Sequence, residues 1–88
     1  MENGDVSPES VWIRVDDYQA NYLRSLPLHE SQNEIGIKEG YPVFSLRVRP
    51  TYDLLQKLLS LGSSIEVLKP ESLREEMKAE IAAMLKNY

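Results

Sequence analysis

Apolar positions along this chain switch between two periods, and the switches mark out its elements. Val11, Ile13 and Val15 alternate with Trp12, Arg14 and Asp16, the period of a half-buried strand. Asp16 or Asp17 is placed to cap a helix running to about Leu26, with Tyr18, Tyr22, Leu23 and Leu26 on one side. Pro27 cannot continue it. A loop and a hairpin follow. Ile35 and Ile37 alternate in the first arm, Lys38-Glu39-Gly40 supplies the turn, and Val43 to Val48 form the second arm. There Phe44, Leu46 and Val48 alternate with Ser45, Arg47 and Arg49. Pro50 ends the strand and Thr51 is an N-cap for the next helix. Leu54, Leu55, Leu58, Leu59 and Leu61 make that helix's stripe, with Gly62 where a left-handed C-cap belongs. Residues 65–68 read as a short strand. Pro70 and the capping-box pattern Ser72-x-x-Glu75 open a last helix, whose apolar positions are Leu73, Met77, Ile81, Met84, Leu85 and Tyr88.

The order is β-α-β-β-α-β plus a helix, the split βαβ or ferredoxin-like pattern. It predicts an α+β fold: a four-stranded antiparallel sheet, two helices on one face, and an additional C-terminal helix. That third helix must either dock at the edge of the helical layer or offer its stripe elsewhere. Residues 1–10, poor in anything that packs, read as a linker or frayed end, and residues 11–88 as the domain.

Composition narrows the function. Eighty-eight residues carry one domain with a small core. The formal charge of −4 argues against binding nucleic acid by net charge, though a local basic patch is compatible with it. With no Cys and one His, thiolate and multi-histidine metal sites are excluded. The apolar runs are too short to span a membrane, and the N-terminus has neither the basic start nor the apolar stretch of a signal peptide. The expectation is a small cytoplasmic domain that needs no cofactor and no metal.

Candidate chemistry is sparse. His29 is the one histidine, the side-chain type used for proton transfer, and Ser31 lies two residues away, but no carboxylate that would orient the pair is identifiable. Catalysis is not expected; His29 and Gln32 are better read as holding the helix-to-strand loop through backbone groups. Strand parity yields a sharper candidate. If the apolar set of strands one and three faces the helices, then Trp12, Arg14, Arg47 and Arg49 face the open side. One aromatic and three guanidinium groups there form a candidate patch for stacking a base and pairing with phosphates. Asp16 and Glu66 are placed to neutralise part of it.

The segments LRSLPLHESQ (23–32), FSLRV (44–48) and LLSLGSSIEVLKPESLREEM (58–77), with Tyr88 at the close, resemble the C-terminal extension, or WCX domain, of WYL-domain transcriptional regulators. His29-x-x-Gln32, Gly62 ahead of Ile65-Glu66-Val67-Leu68-x-Pro70, and Leu73-Arg74-Glu75 carry most of the likeness, which runs from about Val11 to Tyr88. The resemblance implies a non-enzymatic regulatory module serving interdomain contact, dimerisation and effector sensing. It also implies upstream winged-helix and WYL domains as partners, so the chain reads as an excised C-terminal fragment. A homodimer and a single-stranded nucleic-acid or nucleotide effector are further candidate partners. The alternative is a free-standing nucleic-acid or nucleotide-binding module using the open sheet face.

Overall fold

A computed structural model describes residues 7–88. The strands are β1 (Glu9–Val15), β2 (Asn33–Lys38), β3 (Tyr41–Val48) and β4 (Ile65–Lys69); the helices are α1 (Asp17–Ser25), α2 (Tyr52–Leu59) and α3 (Glu71–Leu85). The sheet order is β2-β3-β1-β4 with every neighbouring pair antiparallel, as the ferredoxin-like pattern requires. β1 begins at Glu9, inside the stretch read as a linker. Residues 1–6 of that stretch lie outside the described residues.

The alternation in the central strands does what its period dictates. Val11, Ile13 and Val15 are fully buried, and they join Phe44, Leu46, Leu55, Leu58, Leu23 and Val67 in one core between sheet and helices. Asp16 caps α1 by accepting from the Gln19 amide at 2.8 Å, while its own N–H donates to the Ser64 carbonyl at 2.9 Å. Thr51 caps α2 by accepting from the Leu54 amide at 3.3 Å.

Several finer readings are corrected. On α1 the buried pair is Ala20 and Leu23, whereas Tyr18, Tyr22 and Leu26 are exposed. Ala20 lies about 200° around the helix from Tyr18, so only one of those rows can face the sheet. The tyrosine row is the one that loses least by keeping its hydroxyls in water. On β2 every residue is exposed, including Ile35 and Ile37; it is an edge strand, and α1 reaches it with the Arg24 guanidinium, paired with Glu34 at 2.8 Å, rather than with an apolar cover. A register shift between Glu34 and Gly36 leaves Ile35 unpaired in the ladder. The hairpin turns on Glu39 and Gly40, both at positive φ (53° and 85°), the geometry of a two-residue type I′ turn.

α2 ends at Leu59 with Ser60 as its C-cap; Gly62, at φ 61°, comes two residues later and opens a single 3-10 turn. α3 begins at Glu71 with Pro70 as N-cap, and no side chain caps it. Pro70 already has the extended geometry an N-cap needs, so Ser72 falls inside the helix and the capping box does not form. Glu75 accepts instead from Lys78 at 3.2 Å. Finally, the apolar stripe of α3 divides. Leu73 and Met77 enter the core, but Ile81, Met84, Leu85 and Tyr88 are exposed. A 15-residue helix is about 22 Å long, and only its first half lies against β4 and α2.

Candidate functional site

The face of the sheet away from the helices is assembled by parity and register. β1 contributes Ser10, Trp12 and Arg14, which stand opposite Arg47, Ser45 and Val43 of β3. On the other side of β1, Arg14 stands opposite Glu66. On β2, Gly36 and Lys38 stand opposite Val43 and Tyr41.

Glu66 is the hub of this face. It accepts from Arg14 Nε at 2.9 Å and from Arg74 Nη1 at 3.0 Å, with Lys38 Nζ at 3.9 Å. The hydrogen bonds from Arg74 and then Arg14 hold its carboxyl below the ordinary glutamate value, against the opposing effect of partial burial. Arg14 also lies over the Tyr41 ring, 5.2 Å from its centroid, and Lys69 lies over Trp12 at 4.3 Å. Four cations thus surround one carboxylate and two aromatic rings. Beside them is a hollow of about 310 Å³, walled by Trp12, Ile35, Ile37 and Leu68 and floored by Val43. Val43 is buried although it faces away from the helices, because its strand neighbours close over it.

Arg74, singled out with the Leu73-Arg74-Glu75 motif, is a tie: its Nη1 also donates to the Val67 carbonyl at 2.8 Å, fastening α3 to β4. Gln32 clamps the loop after α1, donating to the Leu23 carbonyl at 2.9 Å and accepting from the Leu28 amide at 2.9 Å. His29 Nδ1 accepts from the Ser31 amide at 3.1 Å and lies 2.8 Å from Ser31 Oγ.

That last contact is the one sequence reasoning passed over. A turn closed by Gln32 N–H on the His29 carbonyl brings the two side chains together. Ser31 Oγ is in turn held by the Arg47 backbone, accepting from its N–H at 2.8 Å with its carbonyl at 3.2 Å. The hydroxyl therefore pins the loop to β3, and no carboxylate orients the imidazole among the hydrogen bonds of the described residues. The His29-x-Ser31 spacing in a polar loop is its only sequence signal, and a weak one.

Trp12, Arg14, Arg47 and Arg49 are spread along the strands: Arg47 stands opposite Ser10, diagonally beside Trp12, and away from Arg14. Arg47 lies four residues along β3 from Val43, the residue opposite Arg14, a separation of about 13 Å. Arg49 lies beyond the end of β3. Arg47 and Arg49 instead line a second hollow with His29, at the far end of the strand. Parity assigns a residue to a face; its place along the strand decides its neighbours.

Among the described residues no group of three or more His, Asp or Glu is disposed to hold a metal ion, and no helix is long and apolar enough to cross a membrane. No curated protein matches the sequence significantly. The family model of the WCX domain does match, over residues 7–85, from the approach to β1 to the last residue of α3. The ferredoxin-like sheet, the His29–Gln32 loop and the Arg74 tie therefore belong to a member of the WCX domain family.

Proposed function

We propose that this domain is a non-enzymatic regulatory module, the C-terminal extension of a WYL-type transcriptional regulator, acting in the cytoplasm by contact. In this reading it docks on the WYL domain, supports dimerisation of the parent protein and contributes a surface to effector sensing. The observation that carries it is the WCX match over residues 7–85. The open sheet face supplies a physical means, since a hollow of apolar walls lined by Lys38, with Lys69 over its Trp12 and the Arg14–Glu66–Arg74 cluster linked to Lys38, suits an acidic, partly apolar neighbour. The parent's upstream WYL and winged-helix domains are the partners this reading calls for.

A second reading, contact with a single-stranded nucleic acid or nucleotide, draws on the same hollow. A base stacked beside Trp12 has Lys38 and Lys69 within reach of its phosphate.

The test compares the parent regulator with a version cut before this domain, by sedimentation and by operator binding with and without single-stranded oligonucleotides. Loss of the dimer or of effector response on truncation is expected. Unchanged assembly, operator binding and response would remove the proposal. Catalytic turnover by the isolated domain would also contradict it.

A further inference from the structure

The second hollow lies between the loop after α1, the end of β3 and α2, and has a volume of about 470 Å³, within the range of small-ligand sites. Its walls are aliphatic where the half-buried Leu28, Val48 and Leu54 meet. Its rim is cationic: Arg47, Arg49 and Lys57 line it, all exposed, against the single carboxylate of Asp53.

The distribution of charge makes this rim unusual within the molecule. The chain has ten Lys and Arg residues and a formal charge of −4. Arg14, Arg24, Lys38, Arg74 and Lys78 pair with described carboxylates, and Lys69 lies over Trp12. Of the four that remain, three line this one groove. None of those three is in an ion pair among the described residues. Like charges around an apolar hollow repel one another and leave its walls wet, and an anion with an apolar body relieves both costs.

His29 adds a hydrogen-bond donor to the groove. Its Nδ1 accepts from the Ser31 amide, so the neutral ring carries its proton on Nε2. That N–H has no partner among the described residues and belongs to a ring that lines the groove. The ring is held by Ser31, itself tied to the Arg47 backbone, so donor and cationic strand end are fixed relative to each other.

We infer that this groove is a binding site for a small amphipathic anion, a carboxylate bearing an aliphatic or aromatic tail. The tail lies along Leu28, Val48 and Leu54, and the carboxylate meets Arg49, Lys57 and the His29 Nε2–H. The site lies at the far end of β3 from the Glu66 cluster and does not depend on the regulatory reading above.

The experiment titrates the 88-residue chain with octanoate, 1-octanol and acetate, following backbone amide resonances. Octanoate should shift Leu28, His29, Leu54 and Lys57 saturably, with a Kd on the order of 1 mM for so small a ligand. Octanol and acetate, each carrying half of the chemistry, should bind about tenfold more weakly. The double variant Arg49→Gln, Lys57→Gln should weaken octanoate about tenfold while leaving the melting temperature in place, because both side chains are exposed. Octanol binding as well as octanoate, an unaffected double variant, or shifts confined to Ile81 and Leu85 would each overturn the inference. So would a pentathymidylate that moves these amides when octanoate does not.

Discussion

Arg14 and Glu66 face each other as direct partners across the β1–β4 ladder, and the arginine Nε donates to Glu66 Oε1 at 2.9 Å. Arg74 takes the other carboxylate oxygen from α3, so one glutamate joins the central strand, an edge strand and the last helix. Glu66→Gln keeps the shape and removes the charge that three cations share. At neutral pH it should lower unfolding stability by about 1–2 kcal/mol, the modest figure reflecting a side chain that is 29% exposed. The pH dependence has a definite sign. The folded carboxyl titrates below its ordinary value of 4.5, so its contribution is present above that value and is lost as pH falls through the lower folded one. Urea denaturation of the two proteins should therefore differ at pH 7 and converge in acid.

Gln32→Ala removes both hydrogen bonds of the loop clamp at once. The expected cost is about 1–2 kcal/mol, since the Leu28 amide and the Leu23 carbonyl lose a partly buried partner. Hydrogen exchange at Leu28 should quicken more than exchange in β1.

Position along an element separates leucines that look alike. Leu58 is fully buried, and Leu58→Ala should cost about 2–5 kcal/mol, a large part of what a small domain has. Leu85, on the free half of α3, is exposed, and Leu85→Gln should change stability by less than about 0.5 kcal/mol. Chemical denaturation of both variants checks the division of α3 into a docked and an undocked half.

The hairpin carries a correctable conflict. Glu39 sits at φ 53°, a region that side chains other than Asn and Asp avoid. Glu39→Asn should raise stability by about 0.5 kcal/mol, giving the Asn-Gly pair that type I′ turns favour. A lower urea midpoint for this variant would show that the Glu39 side chain has a compensating role.

Strands are legible in this sequence where both of their neighbours are sheet. Val11, Ile13 and Val15 are flanked by β3 and β4, so their period translates directly into burial. Ile35 and Ile37 follow the same period on an edge strand, where no helix covers them, and the period alone does not carry that information. The same holds for Tyr18 and Tyr22: apolar spacing identifies the helix, while the smaller Ala20 row decides which side meets the sheet. For the candidate site, the face holding Trp12 and Arg14 is readable from parity. The separation of Arg14 from Arg47 requires the register, and the His29–Ser31 contact requires a turn closed by a backbone hydrogen bond. The ligand groove is assembled from a loop, a strand end and a helix, and no single stretch of sequence announces it.

β1 is the first element among the described residues and yet the second strand from one edge of the sheet, hydrogen-bonded to β3 on one side and β4 on the other. The two ends of the domain are therefore unequal handles. A pull applied ahead of Glu9 loads the β3 ladder first and meets the β4 ladder as well from Trp12 onward, so it works against the middle of the sheet. A pull on Tyr88 meets only a helix whose last turns rest on nothing in the domain, and it can unwind α3 back toward Met77 without disturbing the sheet. Motion of whatever is joined to the N-terminal side is transmitted to the middle of the sheet, while the C-terminal side is mechanically decoupled from it.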